Sequence, residues 1–119
     1  MYNVILWKDN GDEDFHVFKH KPTFDDLYKL IGCSLIQIVK GYNPEISNRS
    51  FDMHIDEEGS YKTRGDPMTL TYPNKRATIA WYEWQKRTNR QSLPGDKIVG
   101  HAAIVRKVKD EHKDSIKDL

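Results

Sequence analysis

Between Phe51 and Asp56 the apolar residues Phe51, Met53 and Ile55 alternate with the polar residues Asp52, His54 and Asp56. A repeat of two is the period of an extended strand, whose successive side chains point to opposite faces, so this stretch reads as part of a sheet with one dry and one wet face. Glu58-Gly59 then turns the chain. A strand of this kind needs neighbours to pair its backbone and a layer to cover its dry side, and the rest of the sequence has to supply both.

Asn3 to Trp7 is apolar and rich in β-favouring types, and Phe15 to Lys19 follows after a loop containing Asn10-Gly11, a pair that tolerates positive φ; together they predict an N-terminal hairpin. Thr23 with Asp26 three residues on has the form of a helix start, Leu27, Leu30 and Ile31 have helical spacing, and Gly32 is a stop. Ser34 to Val39 is rich in Leu, Ile and Val and is expected to be a largely buried strand, ending before a loop broken by Asn43-Pro44. Ser60 to Thr71 is interrupted by Gly65-Asp66-Pro67 and reads as a loop or poorly paired edge segment. After Pro73, Asn74 is a helix cap, and Ala77, Ala80, Trp81 and Trp84 share one face of the helix that follows. Lys97 to Val105 reads as a central strand.

The order β-β-α-β-β-α-β predicts an α+β domain, with a mixed or antiparallel sheet of about five strands and two helices on one face. In a chain of 119 residues this is one domain, residues 1–106, and the almost wholly charged stretch 107–119 is expected to fray. The single cysteine, Cys33, has no internal disulfide partner, and no signal segment is read at the start of the chain, so a cytoplasmic location is expected. No apolar run reaches the roughly 18 residues of a membrane span, and no membrane association is expected.

Catalysis finds little foothold in the sequence. The histidines stand at positions 16, 20, 54, 101 and 112, and the close pair His16 and His20 falls at a strand end, where helical metal-ligand spacing does not apply. Asp56-Glu57-Glu58 adjoins a turn and supplies fewer oxygens than a hard cation takes. Cys33 stands between a helix stop and an apolar strand, a setting for burial and not for a nucleophile. A Gly-rich phosphate loop, a paired-cysteine zinc set and a Ser-His-Asp spacing are all missing, so no catalytic residue, metal or cofactor is expected.

Nineteen basic residues against eighteen acidic ones give no global field, but the charge is unevenly placed. Residues 9–14 are acidic, whereas Asn74 to Arg90 carries Lys75, Arg76, Lys86, Arg87 and Arg90 against only Glu83. Lys75 and Arg76 fall in the first turn of the helix, where free backbone N–H groups also favour anions. Tyr82 and Trp84 add aromatic surface next to cations, the residue types that stack on bases and contact phosphates. The same residues also fit an ordinary helix with a core-facing aromatic stripe and a solvated basic back.

Four stretches taken together carry a resemblance: Thr23 to Gly32 leading into Leu35 to Val39, Met53 to Gly59, Asn74-Lys75-Arg76-Ala77-Thr78, and Gly95 to Ala102. They resemble a small domain family of unknown function carried mainly by bacteriophages and other mobile elements, with an Asp-Glu-Glu-Gly turn, an Asn-x-x-Ala-Thr helix start and a Gly-Asp-x-Ile-x-Gly strand. The resemblance spans most of residues 23 to 105 and implies a phage accessory protein made in the infected bacterial cytoplasm, often of the kind that counters host defences. It supplies no established active site. The expectation that follows is a binding protein that captures a nucleotide-like host signal without cleaving it. Asn74, Lys75 and Arg76 would hold phosphate, Tyr72 or Tyr82 would stack on a base, and His101 completes the candidate set. Homo-oligomers would favour such a concave site. The alternative is an inhibitor that binds a host defence protein or nucleic acid through the basic, aromatic helix 74–90. A hydrolase using His54, Asp56 or His101 is a third reading.

Overall fold

In the computed structural model, residues 1–58, 72–89 and 97–108 are described. The expected segment 60–71 and the charged end beyond Val108 lie outside them. The elements run β1 (Tyr2–Trp7), β2 (Glu13–Phe18), α1 (Phe24–Ile31), β3 (Ile36–Gly41), β4 (Phe51–Asp56), α2 (Lys75–Arg87) and β5 (Ala102–Lys107). The class and element order are those the sequence predicts. All five strands join in one sheet of order β2-β1-β5-β4-β3, and every neighbouring pair is antiparallel.

The two helices cover opposite faces, in place of the single covered face expected. Along β1 the alternation is explicit. Val4 and Leu6 pack with Leu27 and Ile31 of α1 and with Ala103. Ile5 and Trp7 pack with Ala77 and Ala80 of α2 and with Met53, Ile55, Ala102 and Ile104. Successive strand residues point to opposite sides, so a strand buried at every position from Val4 to Trp7 has both faces covered. β5 does the same with Ala102, Ala103 and Ile104, all fully buried at the centre of the sheet. Two of these three are alanines, which lets both helix layers approach the central strand closely.

β3 is also placed differently from expectation. It is an outer strand: Val39 packs under α2 and Ile36 against the α1 layer, while Ile38 and Lys40 on the α1 face and Gln37 on the α2 face are exposed. The last strand extends to Lys107, so the sheet continues into the first residue of the stretch expected to fray, and Val108 N–H donates to Met1 O at 2.9 Å.

The helix ends are set by specific side chains. Thr23 Oγ1 accepts from Asp26 N–H at 3.2 Å while Asp26 Oδ2 accepts from Thr23 N–H at 2.9 Å, and Gly32 ends α1 in the left-handed region at φ 78°. Thr23 is exposed, so Thr23→Ala removes the cap and little packing; it is expected to lower the unfolding free energy by about 1 kcal/mol, read from the urea midpoint.

Candidate functional site

The start of α2 is fixed by Asn74, which is fully buried. Its Oδ1 accepts from Ala77 N–H at 3.1 Å, and its Nδ2 donates to Trp7 O at 2.8 Å and Gly100 O at 2.9 Å. Asn74 N–H donates to Ile98 O at 2.7 Å, and Thr78 Oγ1 accepts from Ile98 N–H at 3.0 Å. Gly100, at φ 88°, adopts the backbone that brings its carbonyl to Asn74 and its N–H to Tyr72 O. Residues 98–100, the end of β1 and the first turn of α2 are thereby tied together through Asn74, with Thr78 adding a second bond to Ile98.

The β1–β2 loop lies against this helix start. Asp9 is its organiser: Oδ2 accepts from Tyr72 N–H at 3.0 Å, and Asp9 N–H donates to His101 Nδ1 at 3.2 Å. The same Nδ1 stands 3.6 Å from Asp9 Oδ1, so the loop meets His101 through both its backbone and its carboxylate. Lys8, Asp9, Asn10, Gly11, Lys75, Arg76 and Ile79 surround a shallow cleft of about 400 Å³ above the first turn of α2. That turn contains no acidic residue. Lys75 is exposed and has no ion-pair partner among the described residues. Lys8 pairs with Asp14 at 3.1 Å, and Arg76 Nη1 pairs with Glu13 Oε2 at 3.0 Å. With Lys8 and Arg76 so paired, attraction for an anion rests on Lys75 and on the N–H groups of the first helical turn.

A second cleft, of about 440 Å³, is also lined by Arg76 and lies beside the start of α2 over the β1–β2 end of the sheet. Trp7, Glu13, Phe15 and Arg106 line it, with residues of the loop after β3. Trp7 Nε1 donates to Glu13 Oε2 at 2.7 Å, the same oxygen that Arg76 contacts, and Arg106 Nη1 donates to Ile46 O at 3.3 Å.

The structure brings five of the six candidate residues together and gives them unequal parts. Lys75 and Arg76 face the first cleft, while Tyr72 and His101 meet it through Asp9, Tyr72 with its side chain exposed. Asn74 is committed to the fold: both its amide protons and its oxygen are used, so it shapes the helix start and holds no phosphate itself. Tyr82 stands two turns away, its ring tilted against Trp81 at 5.6 Å. Trp81 itself packs on the core, and Arg87 lies 3.7 Å over the Tyr42 ring. His54 and His101 do not form a pair; His54 Nδ1 is 3.2 Å from Ala103 O, and His101 is engaged by Asp9.

Sequence reasoning overlooked Lys8, Asp9 and Glu13. The Asn10-Gly11 turn was the available signal, since it fixes where the loop folds back, but which helix the loop would touch depends on the strand order. Among the described residues no three His, Cys, Asp or Glu side chains form a group able to hold a metal ion, and no helix is long and apolar enough to cross a membrane. No family model, curated protein or solved structure matches the chain.

Proposed function

We propose that the protein is a non-catalytic binding protein that captures a phosphate-bearing, nucleotide-like ligand at the start of α2, in keeping with the resemblance to bacteriophage accessory domains and a counter-defence role. The observation that carries this reading is the cleft between the β1–β2 loop and the first turn of α2, where the Lys75 ammonium, without an ion-pair partner among the described residues, stands beside the N–H groups of a helix start. Phosphate oxygens accept from those groups, and Arg76 is placed to exchange part of its Glu13 contact for a phosphate. The exposed Tyr72 ring, anchored through its backbone to Asp9, is the nearest candidate for stacking on a base. The alternative contact surface along the helix has less support. Trp81 packs on the core and Arg87 is engaged by Tyr42, so they offer no open stacking platform.

The test is a thermal-shift screen against mononucleotides, cyclic dinucleotides and ADP-ribose. A ligand at 100 times its dissociation constant adds about 2.7 kcal/mol. The expected result is a shift with one such ligand, at least tenfold weaker binding in Lys75→Ala/Arg76→Ala, and recovery of the ligand unaltered after denaturation. A shift that survives the double substitution moves the site elsewhere; a chemically altered ligand makes the protein an enzyme; no shift with any of them overturns the reading.

A further inference from the structure

We propose that the outer edge of β2 is a self-complementary interface through which two copies of this chain pair, antiparallel, about a two-fold axis at His16. The proposal is independent of the ligand reading.

Among the described residues no strand pairs with this edge, and its middle is apolar. β2 is an end strand of the sheet, and its side chains on the α2 side, Phe15 and Val17, are 59% and 66% exposed. Neither residue is reached by α2, whose partners on the sheet begin at β1. Residues 13–18 contain no proline and no lysine, the register with β1 runs without a bulge, and the two acidic residues of the strand, Glu13 and Asp14, stand only at its start. β3, at the opposite edge, carries Lys40.

The hydrogen-bond phase fixes which groups point outward. Lys8 N–H donates to Asp12 O at 2.9 Å, so in this ladder Lys8 and Asp12 turn their backbone groups toward each other. Trp7, one residue earlier, turns its carbonyl the other way, to Asn74. The pattern alternates, so Asp14, His16 and Phe18 are bonded to β1 and Glu13, Phe15 and Val17 direct their N–H and C=O groups away from the sheet. Two of these three, Phe15 and Val17, also carry the exposed apolar side chains.

Charge selects the occupant. The strand is entered through Asp12-Glu13-Asp14 and left through Lys19-His20-Lys21. An antiparallel second copy sets one acidic end beside the other's basic end twice over. In the register centred on His16, Phe15 faces Val17 of the second copy, Val17 faces its Phe15, and Glu13 faces its Lys19. Glu13 has an oxygen for that contact, because its partners among the described residues, Trp7 and Arg76, both use Oε2. The product is one continuous antiparallel sheet through both copies. Because Phe15 and Glu13 line the 440 Å³ cleft, the second copy adds Val17 and Lys19 to its wall, so each cleft is completed by both chains.

Two measurements test this. Sedimentation across a concentration series is expected to give a dimer, with Phe15→Lys/Val17→Lys raising its dissociation constant at least 100-fold while leaving the melting temperature, measured where both proteins are monomeric, nearly unchanged, since both side chains are exposed. In a Cys33→Ala background, His16→Cys is expected to form an intermolecular disulfide under mild oxidation. Directly opposed residues of a non-hydrogen-bonded pair have Cα atoms about 4.5 Å apart, within disulfide reach. Lys29→Cys, on the exposed side of α1, is the control that should not cross-link. A chain that is monomeric throughout, or a dimer that persists in the double lysine variant, overturns the proposal, as does cross-linking no better at position 16 than at position 29.

Discussion

Asn74→Ala is expected to lower the unfolding free energy by about 3 kcal/mol, the sum of a lost helix cap of about 1 kcal/mol and two buried carbonyls left without their donor. For a chain of this size that is a fall of about 12 °C in melting temperature. The losses fall on one residue because Asn74 joins three separate parts of the chain: it caps α2 through Ala77 N–H, and it holds the carbonyls of Trp7 and Gly100. Asn74→Asp separates the contributions. Aspartate is as good a cap as asparagine, so if capping dominates, this variant is nearly as stable as the parent. If the two donated bonds dominate, a carboxylate oxygen placed against two carbonyls makes it at least as unstable as Asn74→Ala. The second outcome is expected, because Asn74 is fully buried and neither carbonyl gains water when its donor is lost. A loss below 1 kcal/mol in Asn74→Ala would show that the helix start is held by Ile98 and Thr78 instead.

Asn74 also marks how far the sequence could be read. As a residue after proline and before a run of helix formers, it is legible as a cap. Its two other bonds are not, because they join residues far apart in sequence and depend on β1 and β5 lying side by side. The elements themselves were legible for local reasons: the two-residue period of β4, the Thr23–Asp26 box of α1, and the turn at Asn10-Gly11, where Gly11 has φ 97°. Their layering was misread. The polar residues Asp52, His54 and Asp56 of β4 pointed to one wet face, yet Asp56 is buried and His54 is half-buried. The better signal lay in β1 and β5, whose unbroken apolar runs Val4-Ile5-Leu6-Trp7 and Ala102-Ala103-Ile104 are the pattern of strands buried on both sides. The segment 34–39 misleads for the opposite reason: its Leu, Ile and Val content promises burial, but the edge position of β3 leaves Ile38, and Leu35 just before it, about half exposed.

The candidate site follows the same division. Lys75 and Arg76 could be placed at a helix start from local sequence, whereas Lys8 and Asp9 enter only through the fold. Tyr82 is a candidate on residue type alone, as an aromatic near cations. The helix carries it two turns from the cleft and sets it against Trp81, which helical geometry at a rise of 1.5 Å per residue already implies once the cap is fixed.

The residue shared most completely by fold and site is Trp7, and its substitution is expected to have the largest effect. The side chain is 1% exposed, packs edge-on against Phe51 with ring centroids 6.2 Å apart, and donates from Nε1 to Glu13 at 2.7 Å. Trp7→Ala is expected to cost about 4 kcal/mol through lost burial and the cavity left behind. That is a large part of the roughly 5–15 kcal/mol that holds a domain folded, enough to unfold a marginal one at 37 °C. Trp7→Phe keeps most of the packing and removes the hydrogen bond. Its expected cost is about 1.5 kcal/mol, because the Glu13 carboxylate is one-third exposed and can turn to water. Urea denaturation of the two variants divides the effect: a Phe loss well below half the Ala loss assigns the stabilisation to packing, and near-equal losses assign it to the bond with Glu13. The Phe variant also bears on the site. Arg76 and Trp7 share one oxygen of Glu13, so removing the indole donor leaves Arg76 as the sole described partner of that oxygen and tightens the ion pair. If Arg76 has to release Glu13 to hold phosphate, Trp7→Phe weakens ligand binding while the fold stays intact; if Arg76 binds without releasing Glu13, affinity is unchanged.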